Sequence, residues 1–278
     1  MRIIIAAVLI LCAFTSNAQV SYADFITSGE HTSYVKVAVR DRPVIAYPAL
    51  READVKFSRR VWRCIDVRQK MNKQLEWPRQ PLNRLLYEAM AKGEIIPYKT
   101  DSLLSFFNTE DFSKRGGEEV ITFVSTDPDD PTIGRDSVYY EPYKYEKIKK
   151  YWVMEDWIFD YKHSVFKPRI IALAPMFAPS YGGQVGKEQP LCWIKMDEIR
   201  SLLANTEMFN RYNDALRLSF DDFFQMRIFD SYIVYESNMF DNKITDFQEF
   251  ENDATGALLK SDEIKNDLFI FEHDLWQY

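Results

Sequence analysis

Cysteine, histidine and glycine are scarce in this chain of 278 residues, and each scarcity closes off a class of chemistry. Of the 3 cysteines, Cys12 falls in an N-terminal apolar run, which leaves Cys64 and Cys192 for the folded part. No Cys-x-x-Cys, His-Glu-x-x-His or Gly-x-Ser-x-Gly occurs, so the common redox, zinc-hydrolase and nucleophile-elbow signatures are missing. The 3 histidines are His31, His163 and His273. Glu272-His273-Asp274 is a run of helix neighbours whose side chains diverge by about 100° each, so it does not converge on a metal. With only 9 glycines, one cluster invites a phosphate-loop reading, Gly182-Gly183-Gln184-Val185-Gly186-Lys187. That motif needs a glycine at 181 and a hydroxyl at 188, where this chain has Tyr181 and Glu188. No cofactor and no metal is expected. The carboxylates of Asp127-Pro128-Asp129-Asp130 lack the ligand spacing and closing glutamate of a calcium loop.

Long hydrophobic runs are absent beyond the first residues. Arg2, an apolar stretch from Ile3 to Phe14 and the small residues up to Ala18 read as a cleavable secretory signal, residues 1–18. The stretch is too short to span a bilayer, and no later segment qualifies, so no transmembrane segment is expected in the mature chain. In an oxidising compartment a Cys64–Cys192 disulfide is one expectation, and two small buried hydrophobes is the other.

Aromatic residues are plentiful, with 6 Trp, 16 Tyr and 20 Phe, which argues for packed cores and adhesive surfaces rather than disorder. Charge is uneven along the chain. Residues 19–100 hold 15 Lys and Arg against 9 Asp and Glu, whereas residues 201–278 hold 6 against 16. A basic first part and an acidic last part suit head-to-tail contact between copies or docking on a charged partner. Export and an acidic total, net −7, argue against nucleic acid.

The expected fold class is α+β. An extended N-terminal arm covers 19–50 and a single domain covers 51–278. Within that domain a helical hairpin is expected over 52–93, a β-rich part over 118–196 and a helical part over 197–278. In the first helix, Phe57, Val61, Cys64 with Ile65, and Arg68 with Met71 recur at helical spacing. Arg59, Arg60 and Arg63 would then project as a basic cluster and a candidate partner-binding site. The second helix starts at Pro81 and stops at Gly93. Strands are expected at 151–159, 169–176 and 191–196 as an antiparallel meander. Asp197, Ser219 and Ser261 read as N-caps of three later helices.

Several ordered blocks carry a family likeness. They are Ser58 to Asn72, Asp156-Trp157-Ile158-Phe159-Asp160, Arg169 to Pro175, Ser219 to Phe224, Glu236-Ser237-Asn238 and Glu272-His273-Asp274-Leu275-Trp276. In order and wording they resemble the GldN/PorN family of gliding-motility and secretion proteins. The likeness is strongest over 52–93 and 150–278. The resemblance implies a non-catalytic periplasmic component of the type IX secretion and gliding machinery. Such a protein assembles with a GldK/PorK-type lipoprotein into a ring at the inner face of the outer membrane. A GldM/PorM-type motor component and other copies of the chain are the further partners implied. The alternatives are a periplasmic binding module using aromatics such as Trp152 and Trp157, or an enzyme built on the 180–188 loop with His163 or a nearby carboxylate.

Overall fold

The segment expected to open a helical hairpin is a strand. Val55–Asp66 forms β1, twelve residues long and lying inside a sheet. Its apolar residues satisfy both periods: 57, 61, 64 and 65 suit a helix, while 55, 57, 61 and 65 suit one face of a strand. Short apolar runs leave that ambiguity open. What settles it is neighbours on both edges, because β1 pairs antiparallel with Lys150–Asp160 and with Tyr232–Glu236. Residues Val61 to Ile65 are all buried, as expected of a strand covered on both faces. Arg68 and Met71 lie beyond the strand in turns leading to a 3-10 segment, Asn72–Glu76.

The computed structural model describes residues 42–278 apart from 116, 126–133, 142, 182–183, 214, 251–252 and 276–278. The expected signal 1–18, most of the expected 19–50 arm, His31 and the acidic stretch Asp127 to Asp130 lie outside the described residues. After β1 come β2 (Glu118–Ser125), β3 (Gly134–Glu141), β4 (Lys150–Asp160) and β5 (Val165–Phe177). Short ladders follow: β6 (Ser180–Tyr181), β7 (Gln184–Val185), β8 (Gln189–Pro190), β9 (Ile194–Lys195), β10 (Glu207–Met208) and β11 (Leu218–Ser219). The last strand is β12 (Tyr232–Glu236). The main sheet runs β12-β1-β4-β5-β8, with β9 also pairing β5. The expected meander is therefore present as β4, β5 and the β8/β9 return, but β1 and β12 extend it. A smaller sheet, β3-β2-β6-β7, uses the antiparallel β6–β7 pair as its far edge.

Five helices surround these sheets among the described residues: α1 (Leu82–Ala91), α2 (Thr109–Lys114), α3 (Met196–Asn205), α4 (Phe220–Gln225) and α5 (Ala254–Asp274). Strand alternation assigns two faces to the main sheet. On one face Ile65, Val153 and Leu173 meet Leu86, Met90, Leu203, Phe220 and Phe223 from α1, α3 and α4. Farther along that face Val61, Phe166 and Ile233 meet Ile264 and Leu268 of α5. The opposite face packs Trp62, Met154 and Ala172 against Tyr98 and Trp193. Residues 44–278 make up one compact unit. The stretch entering it is strapped down: Arg200 donates to the Ile45 carbonyl at 2.7 Å, and Arg169 donates to that of Pro48 at 2.9 Å.

The caps divide. Pro81 precedes α1, and Gly93 ends it at φ +77°, a left-handed position that glycine adopts without strain. Ser219 and Asp222 form a reciprocal capping box on α4, as the sequence predicts for Ser219. Asp197 sits inside the first turn of α3 rather than capping it. Ser261 is inside α5, whose cap is Asp253, accepting from the amides of Thr255 and Gly256. The buried Ser261 hydroxyl instead accepts the Ile233 amide at 2.7 Å and so satisfies the outer edge of β12.

Replacing Ser261 by alanine is expected to strand that buried amide, costing about 1–3 kcal/mol in urea unfolding. Hydrogen exchange at Ile233 should quicken in the same variant. Asp253→Ala should cost about 1 kcal/mol and leave exchange at Ile233 unchanged.

Candidate functional site

β1 carries Arg59, Arg60 and Arg63, the three residues expected to form a basic patch. A strand splits what a helix would have clustered, because successive side chains point to opposite faces. Arg60 shares its face with its cross-strand neighbour Asp156 and donates to it at 2.6 and 2.8 Å. Arg59 and Arg63 lie on the other face. Arg59 pairs with Glu236 of β12 at 2.8 Å and keeps 41% of its side chain exposed. Arg63 is only 5% exposed and donates from Nε to Glu155 at 3.1 Å. The three arginines thus have acidic partners within the chain, and Arg63 belongs to the interior.

Glu155 is the centre of this interior cluster. It is fully buried in β4, within an otherwise apolar strand face, and accepts from two arginines. Arg227 donates from Nη1 to Oε1 at 2.8 Å and from Nη2 to Oε2 at 3.2 Å. Burial pulls the Arg63 guanidinium below its ordinary value, Glu155 opposes that pull, and Arg227 reinforces it. Both guanidiniums stand 5.7 to 5.8 Å from the Trp157 ring, and Arg227 also lies 5.2 Å from Phe229.

Arg227 reaches Glu155 from an unusual backbone position. α4 ends in a Schellman motif, with the Arg227 amide bonded to the Phe224 carbonyl and the Ile228 amide to that of Phe223. The residue at that corner takes φ +55°, where glycine is the usual occupant. A cavity of about 260 Å³ adjoins the cluster, lined by Arg63, Trp157, Arg227 and Phe229, with Lys265 and Phe269 of α5. A larger groove, about 980 Å³, runs between α5 and the stretch after β12. Phe240, Ile244 and Phe250 give it an apolar side, and Glu236, Glu249 and Glu263 an acidic one.

The other candidate residues are dispersed. Cys64 and Cys192 are separate buried thiols, not a disulfide. Cys64 packs on the Trp152 face of the sheet, while Cys192 lies in the core on the other face, its Sγ 3.5 Å from Met90 Sδ. Burial pushes the Cys64 thiol up to about 11 and raises that of Cys192 as well. His163 sits in the β4–β5 turn, 2.5 Å from Asp160, whose carboxyl it holds below the ordinary carboxylate range. His273 is exposed near the end of α5. Glu188, at the position a phosphate loop gives to a hydroxyl, is bound by Lys150 at 2.7 Å. Trp152 and Trp157 lie on opposite faces of β4, facing Cys64 and Arg59 respectively, so they form no common platform. No group of three metal-ligating side chains occurs among the described residues, and no helix there is long and apolar enough to cross a membrane.

Sequence reasoning missed Glu155 and Arg227. The available signal was a carboxylate flanked by Val153, Met154 and Trp157 in an apolar strand. Its partner, about 70 residues distant in sequence, has no local signature.

Truncating Glu155 to alanine should leave Arg63 buried without a counter-charge and cost about 3–5 kcal/mol, read by chemical denaturation. A Glu155→Leu, Arg63→Met double variant should recover most of that loss, so the two effects will not add. At Arg227, glycine should be about 1 kcal/mol less damaging than alanine, because it relieves the left-handed backbone. Neither thiol should react with a thiol reagent at pH 8 in the folded protein. Both should react after unfolding, and reductant should leave stability unchanged.

A profile of the family described as "Gliding motility associated protein GldN" matches residues 50–277. No curated protein matches the chain. The match takes in β1, the whole main sheet and α5, and that family is one of gliding-motility components rather than a known enzyme family. With most of its length matched, this chain belongs to the GldN family of gliding-motility-associated proteins.

Proposed function

We propose that this protein is a non-catalytic structural component of the type IX secretion and gliding machinery, held in the periplasm against the outer membrane. The observation that carries this reading is the family match, which runs through every element of the folded unit. The secretory character of residues 1–18 supports export. In this reading the partner is a GldK/PorK-type lipoprotein, the assembly is a ring containing further copies of the chain, and a GldM/PorM-type motor component lies beneath it.

The surface chemistry supports assembly. Large apolar side chains stand exposed in several places, among them Met239 at 88%, Phe240 at 66% and Leu104 at 85%. Single exposed apolar residues are ordinary, but patches of them mark contact surfaces. Arg59 and Arg60 retain about two-fifths of their side chains in solvent and are the members of the basic set able to meet an acidic partner. Arg63 acts instead through the fold. One observation favours a second reading, a peptide-binding module: the groove beside α5, with its aromatic and acidic walls.

The test is to tag the mature protein, extract the envelope in mild detergent and identify what co-purifies. The ring reading expects a very large particle with a lipoprotein at near-equal abundance. A lone soluble chain would overturn it. In the same assay, Arg59→Glu with Arg60→Glu should keep the circular dichroism of the parent, since exposed pairs contribute only about 0–1 kcal/mol each. Co-purification at moderate salt should fall. If it is unchanged, these arginines are not the docking site.

A further inference from the structure

α5 has two apolar sides, and the fold uses one. Ser261, Ile264 and Leu268 face the sheet and are buried, with Ala257, Phe271 and Leu275 packed around them. Away from that side Leu258, Leu259, Phe269 and Ile270 are 50%, 66%, 66% and 54% exposed, and Phe269 with Lys265 also borders the cavity beside Arg63. The exposed side has a regular spacing. Leu258, Asp262, Lys265 and Phe269 follow one another at steps of four, three and four, the step pattern of a coiled-coil seam. Asp262 and Lys265 have no ion-pair partner among the described residues, although Lys260 and Glu263 beside them do pair.

That seam reads the same from both ends. Leu258 and Phe269 stand equally far, about 8 Å, from the midpoint between Asp262 and Lys265. Against an antiparallel copy of itself, each apolar end therefore meets the other apolar end. Each Asp262 meets a Lys265, twice over. Leu259 and Ile270 flank the seam on one side and extend the apolar contact. Both the apolar positions and the charges satisfy the requirement of a two-fold contact, in which one patch must complement itself.

We infer that the outer face of α5 is a homotypic docking surface, joining two copies of this chain by antiparallel pairing of their C-terminal helices. The contact closes on itself. It is therefore different from the head-to-tail contact that a ring requires, and it does not depend on the ring reading. A single helix face is smaller than the roughly 800 Å² per partner of a standard interface, so the pairing should show as a reversible equilibrium.

Sedimentation equilibrium of the full chain over a wide concentration range tests this. A monomer–dimer equilibrium is expected. Asp262→Lys and Lys265→Asp should each weaken it at least tenfold, since each places like charges opposite one another twice. Carrying both reversals together should restore it. Leu258→Lys with Phe269→Lys should leave only monomer, with thermal unfolding unchanged because both residues are exposed. A parent chain that stays monomeric overturns the proposal. So does an association that ignores the single reversals, or one the double reversal fails to restore.

Discussion

Everything in this fold depends on β1 having a strand on each edge. One edge takes β4, which follows it by about 90 residues, and the other takes β12, close to the end of the chain. The first and last parts of the folded unit are therefore held by one ladder of backbone hydrogen bonds. With both edges satisfied, β1 can be buried on both faces, and helices from distant parts of the sequence close over it. The loop-closure cost of such distant pairing grows only slowly with length, so burial of apolar area outweighs it.

The buried Arg63–Glu155–Arg227 cluster belongs to the same arrangement. It lies along the sheet between the core covered by α1, α3 and α4 and the core covered by α5. A cluster of this kind costs desolvation that its attraction only partly offsets, and an apolar replacement of equal shape is often as stable. Its value is geometric. Glu155 can be satisfied only when β1, β4 and the corner after α4 are together, and the left-handed turn at Arg227 shows that local backbone preference yields to that requirement. Alternative pairings of β1 would leave a charge buried alone.

In the proposed structural role, function resides in surfaces. The groove beside α5, the exposed side of α5 and the half-exposed arginines of β1 lie where elements end or lack a neighbour. The aromatic set Phe57, Phe166 and Phe271, with ring centroids 4.3 to 5.9 Å apart, fastens α5 to the sheet. In the inferred pairing, that anchoring would present α5 already held in place, which lowers the entropy cost of docking.

What the sequence determined alone is whatever rests on neighbours within a turn or two. Ser219 with Asp222 specifies the start of α4, Gly93 specifies the end of α1, and the apolar, β-prone runs at 151–159 and 169–176 specify two successive strands. The ordered blocks also identified the family. Only the tertiary structure decided β1, because its residues fit a helix and a strand equally until β4 and β12 supply hydrogen-bond partners. It decided that Arg59, Arg60 and Arg63 separate onto two faces, that Cys64 and Cys192 lie on opposite sides of the sheet, and that Ser261 ties down an edge strand instead of capping a helix. In each case the deciding partner is far away in the chain, and no local pattern encodes where a distant partner will stand.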